Sequence, residues 1–163
     1  TIYRYFPTKR DLFLSAVDRG MRRMQKQVDD LVNDIEDPQE RVLESIRIYL
    51  AFFESHPEFV ELLIQERAVF KDRKNPSFQS HLKIRVEPWK EVLEEEMNRG
   101  RIRKMSIEQI TSVTSNMIYG VLFTNHFFGS HKSAAEQAEE LLDILCFGIL
   151  TETEREFQGR LDD

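Results

Sequence analysis

One cysteine, one tryptophan, six glycines and five prolines in 163 residues leave little of what several protein classes are built from. Cys146 alone can form no intramolecular disulfide and cannot furnish a cysteine-rich zinc module, so a reducing, cytoplasmic setting is expected. The glycines stand singly, which excludes a glycine-rich phosphate loop, and there is no G-x-S-x-G elbow. His56, His81, His126 and His131 never fall at the i, i+4 spacing that puts two metal ligands on one helix face, and H-E-x-x-H is absent. No apolar run approaches the roughly 20 residues that a membrane-spanning helix needs. Together these absences argue against an enzyme, a metal site, a bound cofactor and a membrane partner.

What remains is 40% hydrophobic and 32% charged, the balance of one soluble globular domain. The net charge of −6, taken as a mean, argues against a general nucleic-acid binder. The mean hides an asymmetry. Residues 1–27 carry seven basic and two acidic side chains, a charge of +5, whereas the remaining 136 residues carry 16 basic and 27 acidic, a charge of −11. Such a division suits a chain that meets a polyanion at one end, and it equally suits a solvated basic helix face.

The punctuation along the chain is helical. Thr8 with Asp11 three residues on forms a capping box, and apolar residues recur at helical spacing from Leu12 and Phe13 to Ile35, which predicts a rod from Lys9 to about Ile35. Asp37-Pro38-Gln39-Glu40 restarts the chain for a helix ending near Ser55. His56-Pro57 opens another to about Lys71. A fourth segment runs from Asn75-Pro76 to Arg99, stops at Gly100 and contains Pro88, which is expected to kink or split it. Ser106 with Gln109, and Ser133 with Glu136, start two final helices over about 107–128 and 134–152. With no strand alternation and no repeat, the fold class is all-α.

The last two helices carry more apolar surface than one neighbour can cover. Ile110, Val113, Met117 and Val121 lie on one stripe, and Leu141, Leu142, Leu145, Gly148 and Ile149 on another. Gly120 and Gly148 fall inside these helices, where a glycine costs about 1 kcal/mol, so a close-approaching backbone is expected at each. The pair therefore reads as a homodimer interface, a four-helix arrangement between two copies, with a central place in a monomeric core as the alternative. Cys146, between Leu145 and Phe147, reads as an inert core residue, and Glu94, Glu95 and Glu96 as a solvated fan.

The first dozen residues carry the sharpest signal. In Thr1-Ile2-Tyr3-Arg4-Tyr5-Phe6-Pro7-Thr8-Lys9-Arg10-Asp11-Leu12, Ile2 and Phe6 share one face, while Thr1, Tyr3, Arg4 and Tyr5 offer hydroxyls and cations of the kind that bond phosphate oxygens and base edges. Lys9 adds a charge at a helix N-terminus. The block resembles the end of the recognition helix and the start of the next helix in the TetR (AcrR-like) family of transcriptional regulators. That resemblance implies that residues 1–8 close a helix-turn-helix DNA-binding domain and that 9–163 form a ligand-binding and dimerisation domain. It also implies that two further helices and the first part of the recognition helix precede Thr1, and that these 163 residues alone do not bind an operator. The DNA-facing residues would be Thr1, Tyr3, Arg4, Tyr5 and Lys9.

For the effector, the candidates are polar residues set into apolar stripes: Glu66 and Phe70 on the third helix, His81, Arg85 and Trp89 on the fourth, and Asn116, Tyr119, Phe123 and His126 on the fifth. They read either as a pocket for a small, largely apolar or aromatic effector, or, for Glu66 and Arg85, as a structural ion pair. The function expected is a ligand-responsive regulator, a repressor released from operator DNA. A helical dimerisation or adaptor domain without DNA binding is the alternative.

Overall fold

The computed structural model describes residues 4–74 and 76–148, apart from the side chains of 39, 78–80 and 82–88. It contains six helices: α1 (Lys9–Val32), α2 (Pro38–Ser55), α3 (Pro57–Val69), α4 (Ser77–Asn98), α5 (Ile107–Phe128) and α6 (Ala134–Phe147). Among the described residues there is no strand, and no helix is long and apolar enough to cross a membrane.

The helices start where side chains satisfy their first free N–H groups. The Thr8 hydroxyl accepts from the Asp11 N–H, and the Asp11 carboxylate accepts in turn from the Thr8 N–H at 3.0 Å. Ser133 and Glu136 repeat the reciprocal box at α6. Asp37 and Ser106 accept from the third residue onward at α2 and α5. The ends are set differently. Gly100, Gly129 and Gly148 have φ of +73°, +75° and +67°, the left-handed conformation that ends a helix cheaply only without a Cβ. Gly148 therefore terminates α6 and does not lie inside a helix, as the sequence had suggested. Helix α4 passes through position 88 without a break, so Pro88 does not split it. Helix α1 ends at Val32, three residues earlier than the apolar pattern implied, and the Ile35 carbonyl beyond it accepts from the Arg41 guanidinium at 2.8 Å.

Helix α2 is the centre of the molecule. Ile46, Ile48, Tyr49, Leu50, Phe52 and Phe53 are all buried, on several faces, because α1, α3, α5 and α6 surround it. Helix α1 contributes one stripe, Val17, Met21, Met24, Val28 and Val32, at i, i+4, i+7, i+11 and i+15. Phe52 joins the parts: its ring stacks on His56 at 4.6 Å and lies 5.5 Å from Phe53 and 5.6 Å from Phe59.

A glycine allows the tightest packing between α1 and α3. Gly20 is buried under the Phe59 ring, and a Cβ at this position would stand 1.8 Å from a ring carbon. At Gly120, where the sequence suggested a close neighbour, a Cβ would meet nothing within 4 Å in the chain.

Candidate functional site: the basic end and the open apolar face

Of the expected DNA-facing residues, Thr1 and Tyr3 lie outside the described residues. Arg4, Tyr5 and Lys9 are exposed. The Arg4 guanidinium lies 5.1 Å from the Tyr5 ring centroid and donates to its hydroxyl at 2.8 Å, so the two side chains present a cation and a hydroxyl together. Phe6 is half-buried and turns the segment onto the capped start of α1, where Lys9 is the first helical residue.

The nine expected effector residues fall in three places. The first is the junction of α3 and α4. Glu66 is 1% exposed, and its carboxylate accepts from the Ser77 N–H at 2.9 Å, from the Ser77 hydroxyl at 3.1 Å and from the Arg73 guanidinium. The expected partner of Glu66 was Arg85, whose side chain lies outside the described residues. The partner found is Arg73, seven residues on and across the turn after α3, which also donates to the Ser77 hydroxyl at 2.9 Å. A buried carboxylate held by a guanidinium and by the N–H and hydroxyl of a helix's first residue is well partnered, and it fixes the loop between the two helices.

Phe70 belongs to that same loop but turns away from Glu66. Its ring meets Phe13 edge-on at 5.4 Å, the Arg10 guanidinium lies 4.9 Å from its centroid, and Arg10 also pairs with Asp72 at 3.2 Å. The loop is thereby tied to the first two turns of α1.

The second place is the contact of α4 with α1. His81 is 7% exposed, and its Nε2 lies 3.0 Å from the Asp18 carboxylate, while Nδ1 has no hydrogen-bond partner. Trp89, further along α4, is half-buried.

The third place is α5 against α3. Tyr119 and Phe123 lie with ring centroids 4.2 Å apart, and His126 Nε2 is 3.3 Å from the Glu61 carboxylate. Burial pushes the Tyr119 phenol up, against the opposing pull of the Arg67 cation. Asn116 is exposed. Two open depressions mark the surface along α1, and none of the eight expected residues with described side chains lines either.

The expected interface stripes divide between core and surface. Leu141 is buried, and Met117 and Val121 pack against the core, so these three face inward. Ile110, Leu142 and Leu145 are half-covered, Gly148 is exposed and Ile149 lies outside the described residues. Of the expected residues Val113 is exposed, and the other large apolar side chains at the surface are Phe127 and Phe128 of α5 and Ile144 and Phe147 of α6, with Phe128 84% exposed. The shift follows from helix phase. Ala134, Ala138 and Leu141 point α6 at α2, which leaves Ile144 and Phe147 on its other side.

Cys146 is on this exposed side and not in the core. Partial burial and the nearby Asp143 carboxylate both push its thiol pKa up, which keeps it protonated and poorly nucleophilic. Glu96 also departs from the expected solvated fan: it is buried and pairs with Arg101 at 2.5 Å and Arg99 at 3.3 Å, while Glu94 and Glu95 are exposed. Among the described residues no cluster of three or more His, Cys, Asp or Glu could hold a metal ion. Comparison with family models, with curated proteins and with solved structures finds no match to this chain.

Proposed function

We propose that this chain is the effector-sensing and dimerising part of a DNA-binding transcriptional regulator, a TetR-type repressor released from its operator by a small, largely apolar or aromatic ligand. The observation that carries the reading is the Thr1-to-Leu12 block, which ends in the capping box that starts a 24-residue basic helix. The open face of α5 and α6 supports the dimer that a palindromic operator requires, because apolar side chains that no part of the described chain covers are the usual mark of a partner surface.

The same geometry suggests a route for the signal. The Glu66–Arg73–Ser77 clamp fixes one end of the α3–α4 loop, and Phe70 and Asp72 fix its middle to Arg10 and Phe13. A ligand that shifts α3 or α4 would pull on the start of α1, and so on the spacing of the two DNA-reading ends. It would release DNA only by as much as it prefers the non-binding spacing, and such couplings are typically about 1 to 3 kcal/mol.

The test is to express the protein from its full reading frame and to select binding sites from a randomised duplex pool. A palindromic site is expected, with affinity falling as salt rises, and Lys9→Ala should weaken binding to all sequences alike and lower the salt slope by about 1. A protein that selects no site, or binds without salt dependence, overturns the repressor reading and leaves a helical dimerisation domain.

A further inference from the structure

The larger of the two depressions along α1 is a groove of about 590 Å3 whose lining is of two kinds, an apolar floor and a basic wall. Ala16, Phe59 and Leu62 form an apolar floor, made possible by Gly20, against which an edge of the Phe59 ring is seated. Arg19, Arg22, Arg23 and Lys26 form the wall. They recur at i, i+3, i+4 and i+7, so they share one face of α1.

The four cations are not equivalent. Arg22 is paired with Asp18 at 2.8 Å and Lys26 with Asp30 at 2.5 Å. Arg19 and Arg23 have no carboxylate among the described residues, and they stand one turn apart on the groove side. Two free guanidinium groups a turn apart suit one carboxylate or phosphate, which arginine engages through paired N–H donors. The floor beside them suits a hydrocarbon body. Bare polyanions such as nucleic acid would match the wall and leave the apolar floor unmatched.

We propose that this groove binds a free amphipathic organic anion, its acidic head between Arg19 and Arg23 and its alkyl body along Ala16, Phe59 and Leu62. Arg23 and Lys26 also line a second depression of about 370 Å3, with Gln27, Asp30 and Leu31. Leu31, an α1 leucine that is 56% exposed, adds apolar surface there. Asp18 links Arg22 of the wall to His81, but none of the described expected effector residues lines the groove, and the proposal does not rest on the repressor reading.

Calorimetric titration of the full chain with decyl phosphate below its micelle concentration tests it, alongside decanol, inorganic phosphate and phosphatidylglycerol vesicles. One saturable site is expected for decyl phosphate, with decanol and inorganic phosphate each at least about tenfold weaker, since removing either the charge or the apolar body should remove about 1.4 kcal/mol or more. Arg19→Ala with Arg23→Ala should weaken binding at least about tenfold. Both are exposed, so the melting temperature should hold, and methyl NMR shifts at Ala16 and Leu62 in the unaltered chain should locate the ligand independently of any variant. Equal binding by the double variant, equal binding of decanol, shifts confined to other methyls, or binding to vesicles alone would each overturn the proposal.

Discussion

The half of the molecule built from α1, α2 and α3 is closed, with α6 packed on α2, whereas the pair α5 and α6 leaves one side of itself open. In the first half Val17, Met24, Val28, Phe52 and Val60 are all at most 3% exposed, and even a glycine serves to bring a ring onto a backbone. In the second, Val113, Phe127, Phe128, Ile144 and Phe147 are between 44% and 84% exposed on helices that are capped and regular. Leu31 and Val69 are exposed in the first half and Leu122 and Leu141 are buried in the second, so the contrast lies in the rings: Tyr49, Phe52 and Phe53 are inside the first, and Phe127, Phe128 and Phe147 are at the surface of the second. The first region is where substitutions should cost folding stability, and the second is where they should cost association.

The largest effect should come from the centre. Phe52→Ala opens a cavity inside the ring cluster and should destabilise by about 3 to 5 kcal/mol in urea unfolding. Glu66→Ala removes the acceptor of the Ser77 N–H and strands Arg73, and a loss of about 2 to 3 kcal/mol is expected, discounted because Arg73 is partly solvated. Amide exchange in the first turns of α1 should also quicken if the α3–α4 loop holds them.

Gly20→Ala forces the Phe59 ring away and should cost about 1 to 3 kcal/mol, whereas Gly120→Ala meets open space in the chain and should raise stability slightly by favouring the helix. Equal penalties at the two glycines would break the comparison.

At the edge of the open pair, Ser133→Ala should cost about 1 kcal/mol through the lost cap of α6. Its partner Glu136 adds a pH signature. The Ser133 N–H and hydroxyl hold the Glu136 carboxyl below its ordinary range, so its contribution is complete above the ordinary carboxylate range and fades as pH falls through the lowered value. The stability gap between Ser133→Ala and the unaltered chain should therefore narrow across that acid window by the share that the Ser133 hydroxyl gives the carboxylate, and the part due to the bond from the Glu136 N–H to that hydroxyl should persist. Smallest of all, Phe128→Ser should change the unfolding of the isolated chain by less than about 0.5 kcal/mol, since its ring is 84% exposed.

Much of the fold was legible because local chemistry decides helix boundaries. Thr8, Asp37, Ser106 and Ser133 are caps in the sequence and caps in the structure, and α5 spans the residues that its capping serine and following glycine bracket. Burial was less legible, because apolar periodicity says which side of a helix is greasy and not which neighbour will cover it. Thus α5 and α6 read as the helices with apolar surface to spare, with a central place in the core as the alternative, while the helix buried on several faces is α2. The long-range partners were hidden for the same reason. Nothing in the spacing links Gly20 to Phe59, or Asp18 to His81, which are 63 positions apart. Arg73 was within reach of Glu66 in sequence, but only the turn after Val69 brings it back over the carboxylate.

The difference between the closed and the open half is tested most directly by the molecular mass of the chain in solution, measured by sedimentation equilibrium at micromolar concentration. The account expects a dimer that Ile144→Glu with Phe147→Glu converts to a folded monomer with the helix content of the original. A chain that is monomeric before any substitution, or a dimer that survives both glutamates, would contradict it.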